Sequence, residues 1–133
     1  MPLDLSSEPQ SLQARARELA RGPVTARAAE VDRTEQYPWD NVTLLKEARL
    51  LGMTIPERYG GLGLHKTTSL LVAERGGLCA SFSISLGAHT GIGTLPIAYY
   101  GSEAQKQRYL PKLATGEWLA AHAPTAPQSG SAA

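Results

Sequence analysis

Ser81-Phe-Ser-Ile-Ser-Leu-Gly-Ala-His-Thr-Gly-Ile-Gly-Thr-Leu-Pro-Ile-Ala-Tyr99 is the stretch on which the fold class turns. Phe82, Ile84 and Leu86 alternate with Ser81, Ser83 and Ser85, which is the period of a half-buried strand. The apolar character then runs on through Ile92, Leu95, Ile97 and Tyr99, which is long for a strand. Gly87, Ala88, Gly91 and Gly93 also lack the β-branching that strands favour. Read by itself, the pattern leans to a strand and leaves a helix open.

The flanks on both sides read as helix. Upstream, Lys66 to Leu78 places Leu70, Ala73 and Gly77 on one face, with Glu74 and Arg75 off it. Trp39 to Leu51 repeats Val42, Leu45, Ala48 and Leu51 at helical spacing, and Gly52 stands where a C-terminal stop is expected. Between them, Met53 to Pro56 is an extended connector and Tyr59-Gly-Gly-Leu-Gly63 a loop with glycines for positive φ. Tyr37-Pro38 breaks the chain. Before it, Ser7 and Gln10 have capping-box spacing, and Leu12, Ala16, Leu19 and Ala20 form an apolar stripe. Gly22-Pro23 stops or kinks that helix, and Pro23 opens a second with Val24, Ala28 and Val31 on one face. Downstream, Ser102 and Gln105 form another capping box, Tyr109 and Leu113 lie four apart, Pro111 should bend the helix and Gly116 closes it. Beyond Trp118 the composition collapses. The last seventeen residues contain one charged group, Glu117, and Ala, Pro, Ser and Gly dominate from Ala120. Such a tail buries too little apolar surface to offset its own ordering entropy.

Composition bounds the function. The chain has 133 residues, 42% of them apolar, which is the size of one domain with a core. Thirteen basic against twelve acidic residues leave a net charge of +1, without the lopsided balance of a nucleic-acid binder. Residues 1–33 hold five arginines and five acidic groups with no aromatic among them, the pattern of a solvated helix face. No apolar run approaches the ~20 residues that span a bilayer. Asp4 and Glu8 interrupt an N-terminus that would be basic in a targeting segment, so a cytoplasmic location is expected. The single cysteine, Cys79, excludes an internal disulfide and a cysteine zinc cluster, and reads as a buried inert thiol.

Catalytic patterns are missing. His65, His89 and His122 are not spaced as a helical metal pair, so no metal site is expected. There is no G-x-S-x-G elbow or phosphate loop, and Gly60, Gly61 and Gly63 do not extend to a dinucleotide fingerprint. His89, on an apolar segment, reads as a hydrogen-bonded core histidine rather than a ligand. Tyr99, Tyr100 and Tyr109 fit either a ligand groove or core packing.

Three stretches together carry a resemblance. They are Leu51-Gly-Met-Thr-Ile-Pro-Glu-Arg-Tyr-Gly-Gly-Leu-Gly63, Leu95-Pro-Ile-Ala-Tyr-Tyr-Gly-Ser-Glu-Ala-Gln-Lys-Gln-Arg-Tyr-Leu-Pro-Lys-Leu-Ala-Thr-Gly-Glu117, and Thr125-Ala-Pro-Gln-Ser-Gly-Ser131. In order and spacing they resemble the N-terminal domain of the acyl-CoA dehydrogenases. The resemblance implies an all-α fold, an orthogonal or up-down bundle of about six helices over residues 1–117. Residues 118–133 would be a disordered or extended stub of the β domain that follows. Phe82 to Tyr99 is therefore expected to be helical, its glycines permitting close helix–helix approach.

The same resemblance implies FAD as cofactor and oxidation of an acyl-CoA thioester at its α,β bond. A carboxylate takes the α-proton, the β-hydrogen leaves as hydride to flavin N5, and an electron-transferring flavoprotein receives the electrons. It places the cofactor-binding run at His122, Ala123, Pro124, Thr125 and Ser131. Thr125 corresponds to the threonine on the isoalloxazine ring and Ser131 to the serine near the cofactor and the substrate's thioester arm. Departures stand beside these matches. Ala126 replaces a Glu, Ala132 an Asp, and Gln128 a small residue, while Pro124 removes a backbone donor. The family's catalytic carboxylate belongs to a C-terminal bundle beyond this sequence, so no catalytic residue is assigned. The expectation is a chain inactive alone, truncated or one piece of a split enzyme whose partner chain supplies the rest. The alternative is a non-catalytic helical interaction module.

Overall fold

The computed structural model describes residues 7–76 and 80–123. Helix α1 (Ser7–Leu19) runs into a π-helical stretch at Ala20–Val24, where Gly22 (φ −95°, ψ −107°) leaves helical geometry and Pro23 follows. The expected kink is therefore present. Helices α2 (Ala28–Thr34) and α3 (Trp39–Glu47) flank the break at Tyr37-Pro38. A single 3-10 turn (Glu57–Tyr59) precedes α4 (Lys66–Gly76). Then come α5 (Ala80–Gly87), a π-helical stretch (Ala88–Gly93), α6 (Leu95–Tyr100) and α7 (Glu103–Thr115). Among the described residues every regular element is helical, as the all-α expectation requires. The stretch that looked like a strand is helix almost throughout.

The reason lies in what the alternation meant. Leu86 is buried, whereas Ile84, two residues earlier, is 73% exposed. Residues i and i+2 point to different sides of a helix, so the period of two marked an apolar residue inside and another outside, not one sheet face.

The helix that starts at Trp39 ends before Gly52. Arg49 takes the left-handed conformation (φ 60°), its N–H reaches the Lys46 carbonyl (3.0 Å) and the Leu50 N–H reaches the Leu45 carbonyl (2.9 Å). This is the paired bonding of a Schellman stop, with Leu50 and Leu45 supplying its hydrophobic contact. Gly52 has a different task. A Cβ there would lie 3.0 Å from the Ala114 carbonyl oxygen, so the glycine lets the turn approach α7. Met53 to Pro56 lies within a compact turn rather than an extended connector.

Helix α4 presents a face other than the expected one. Thr68, Ser69 and Val72 are buried, while Leu70 is 60% exposed. Helix α1 packs on α4, and the buried Ser69 hydroxyl is satisfied within its own helix by donating to the Lys66 carbonyl (2.8 Å). Gly77 and Cys79 lie outside the described residues.

Among the described residues, two apolar clusters form the core. The first joins Leu12 and Ala16 of α1 to Val42 and Leu45 of α3, Val72 of α4 and Leu86 of α5. The second joins Ile55 and Tyr59 to Leu110 and Leu113 of α7. Helix α7 begins with the expected capping box. The Gln105 N–H donates to the Ser102 hydroxyl, and the Ser102 N–H to the Gln105 side chain (2.8 Å). It continues through Pro111 and closes on Gly116 at φ 70°.

Candidate functional site

After Gly116 the chain turns off α7 and crosses the bundle as an irregular segment, residues 118–123. The Trp118 N–H donates to the Lys112 carbonyl (3.1 Å). Lys112 also pairs with Glu117 (3.0 Å) and lies over the Trp118 ring at 4.3 Å. Leu119 packs on the first core cluster and Ala120 on the second.

The segment is held by His89, from the π-helical stretch. His89 is 1% exposed, and its Nδ1 accepts the Ala120 N–H at 3.0 Å. The reading of His89 as a hydrogen-bonded core histidine thus holds. Its Nε2 has no hydrogen-bond partner. Burial pushes the imidazole below the usual histidine range, partly offset by the carbonyls of Leu113 and Leu51. One turn on, a Cβ at Gly93 would come within 2.6 Å of the Ala120 Cβ, so only glycine admits the crossing chain.

Beside the crossing lies an open groove, lined by Tyr37, Trp39, Ile84, Ser85, Ala88 and Leu119 to Ala121. Tyr37 and Trp39 stack edge to face (4.8 Å) and Trp39 is 64% exposed. The wall is largely apolar and aromatic, suited to a flat ring or an acyl chain.

Of the expected cofactor-binding run, His122 and Ala123 are exposed at the end of the crossing segment, and the His122 Nδ1 is 3.4 Å from the Ile92 carbonyl oxygen. Pro124, Thr125 and Ser131 lie outside the described residues. Tyr99 and Tyr100 are 62% and 88% exposed and meet each other edge to face, so core packing does not explain them. Tyr109 is half-buried against Trp118. Sequence reading missed the aromatic pair Tyr37 and Trp39. Their signal was two large rings bracketing Pro38 at a helix break. The described residues offer a flavin one largely apolar wall, and buried polar atoms without a partner among them include the Asn41 amide and the Thr94 hydroxyl. No group of three His, Cys, Asp or Glu residues suited to a metal occurs among them, and no helix among them is long and apolar enough to cross a membrane.

The fold and groove define an all-helical domain with an apolar wall beside its exit segment. Residues 6–117 match the family described as acyl-CoA dehydrogenase, N-terminal domain, and the chain belongs to that family. A probable acyl-CoA dehydrogenase of Bacillus subtilis is 52% identical over 105 residues, covering 76% of this chain and 18% of that protein. A 3-sulfinopropanoyl-CoA desulfinase of Paraburkholderia xenovorans is 41% identical over 136 residues, covering 98% of this chain and 34% of that protein. The crystal structure of an acyl-CoA dehydrogenase complexed with FAD from Bacillus anthracis superposes with a TM-score of 0.83 at 44% identity. It covers 97% of this chain and 22% of that one. The chain therefore spans between about a fifth and a third of its relatives' length.

Proposed function

We propose that this chain is the N-terminal helical part of an acyl-CoA dehydrogenase-type flavoprotein, one wall of a site for FAD and an acyl-CoA thioester. The observation that carries the reading is the family match over residues 6–117, which stops where the exit segment begins. FAD, when bound, supplies the hydride acceptor for oxidation of the α,β bond. Thr125 and Ser131 would meet the cofactor and thioester arm, and the groove beside Trp39 and Ile84 would exclude water on one side. The base, the remaining cofactor contacts and the docking of an electron-transferring flavoprotein need parts of the family architecture beyond this sequence, from a partner chain or a longer polypeptide. The 133-residue chain alone is then inactive. It is expected to purify colourless and to reduce no electron acceptor with any acyl-CoA. A yellow protein with a flavin absorbance band overturns this. Calorimetric titration with FAD and an acyl-CoA should show binding only when the missing domains are added as a second fragment.

A second reading is favoured by the exposed Trp39, Ile84 and Ile92 (64%, 73% and 59%), an outer face apolar enough for protein contact. It takes the chain as a non-catalytic interaction module that self-associates or recruits a partner. Size-exclusion chromatography at rising concentration tests it. A clean monomer throughout, with no partner added, counts against it.

A further inference from the structure

We propose that neutral His89 is the positioning residue that fastens the exit segment 118–123 to the bundle, and that protonating its Nδ1 unfastens it.

The geometry fixes the chemistry of the contact. The bond from Ala120 N–H to His89 Nδ1 spans 31 positions of sequence at 3.0 Å. Because Nδ1 accepts, it is the bare nitrogen, and the proton of the neutral ring sits on Nε2. A second proton would turn the acceptor into a donor facing another donor. The bond would be lost and two N–H groups would oppose each other inside a site where the imidazole is 1% exposed. Upstream the segment is held by the Trp118 N–H on the Lys112 carbonyl and by Leu119 on the first core cluster, so the His89 bond is what fixes it at Ala120. Ala120 offers a methyl group, and the contact with Gly93 is close only because no side chain intervenes.

Among the described residues, no charged group acts on the ring to rescue an imidazolium. The helical run Ala80–Tyr100 that carries His89 has no charged residue. The polar groups acting on the ring from the packed elements are the carbonyls of Leu113 in α7 and Leu51 in the turn after α3. Charged or titratable groups on these elements are Arg49 in the turn, Glu103, Lys106, Arg108, Tyr109 and Lys112 on α7, and Glu117 and His122 beyond it. Glu103 accepts from the Tyr59 hydroxyl, and Arg108 lies over the Tyr109 ring. Lys112 and Glu117 are committed to each other at 3.0 Å, and Arg49 and His122 are exposed. Burial therefore keeps the fastening closed at neutral pH, and acid opens it.

His122 and Ala123 follow within three residues of Ala120, so His89 sets where the cofactor-contacting run begins. That link rests on the function proposed above. The fastening itself does not, and its test needs no flavin.

The test is amide hydrogen exchange on the isotope-labelled full chain, comparing Ala120 with Leu110 in the core of α7. In His89→Leu the Ala120 protection factor should fall about tenfold relative to Leu110, the effect of one lost buried hydrogen bond. In His89→Asn the side-chain Oδ1 occupies the position of Nδ1 and does not titrate. Protection there should stay within about threefold of the parent and remain level as the pH is lowered to about 4. In the parent it should fall over the same range. Unchanged protection in His89→Leu overturns the fastening. A parent that keeps its protection in acid, or an Asn variant that loses it in parallel, overturns the release. If His89→Leu does not fold, the Asn variant and the parent still decide.

Discussion

A Cβ built at Gly61 would sit 2.0 Å from the Ile55 carbonyl oxygen and 2.5 Å from its carbon. Both are backbone atoms of a 0% exposed residue, so neither can turn aside. Gly61→Ala should destabilise the fold by about 2 kcal/mol or more, read as a lower urea midpoint. Gly87→Ala is the control. Nothing lies within 4 Å of that Cβ, the backbone is helical, and the change should be neutral or stabilise by up to about 1 kcal/mol. The sequence of the loop Tyr59 to Gly63 made two of its glycines legible, since Gly60 (φ 84°) and Gly63 (φ 60°) do adopt the left-handed conformation expected of such a turn. Gly61 was not legible in that way. Its requirement is tertiary, set by the chain it touches. His89 shows the same division. Its burial could be read from apolar neighbours, whereas its partner 31 residues away could not.

At the scale of elements, end signals were reliable where they are local. Ser102 and Gln105 are three residues apart, and both bonds of the box form. The end of α3 was misplaced because a cation, not a glycine, occupies the left-handed position. Arg49 at φ 60° carries a conformation that costs an ordinary residue about 1–2 kcal/mol. Arg49→Gly should relieve part of this, net of the greater freedom of glycine in the unfolded chain, and raise stability by about 0.5–1 kcal/mol. Thermal unfolding checks it, and a lower Tm would count against strain at this site. Helix α4 was phased wrongly for a related reason. Its buried face includes Thr68 and Ser69 beside Val72, while Leu70 faces outward. Apolar content marks an inside face only when the outside of a helix is polar. The outer sides of α4, α5 and the adjoining π-helical stretch also carry large apolar residues, Leu70, Ile84 and Ile92. The groove was illegible on that same account, because its aromatic wall is assembled from residues some 45 positions apart, Tyr37 and Trp39 against Ile84.

For the molecule as a whole, two groups predict the pH dependence of folding. His89 takes up a proton less readily when folded than at its ordinary value of 6.5. The unfolded chain therefore binds more protons just below pH 6.5, and stability falls as the pH drops from 6.5 through the folded value. Glu103 is held below its ordinary 4.5, first by the Tyr59 hydroxyl and then by Gln107, and contributes stability above 4.5 that is lost in stronger acid. Urea midpoints against pH should show two successive losses, and His89→Asn should erase the upper one alone. A curve that is level between neutrality and pH 4.5 would rule out His89 as a linked group. Two tryptophans stand in this molecule, and they are differently lit. Trp118 is clasped by Lys112 at 4.3 Å and Tyr109 at 6.1 Å, where the chain leaves α7, while Trp39 looks out over the groove. Replacing either with phenylalanine leaves a protein with a single tryptophan, which can be excited selectively over the five tyrosines. One such protein reports whether a guest has entered the groove, and the other whether the chain beneath it has moved, so both can be followed by colour without attaching a dye.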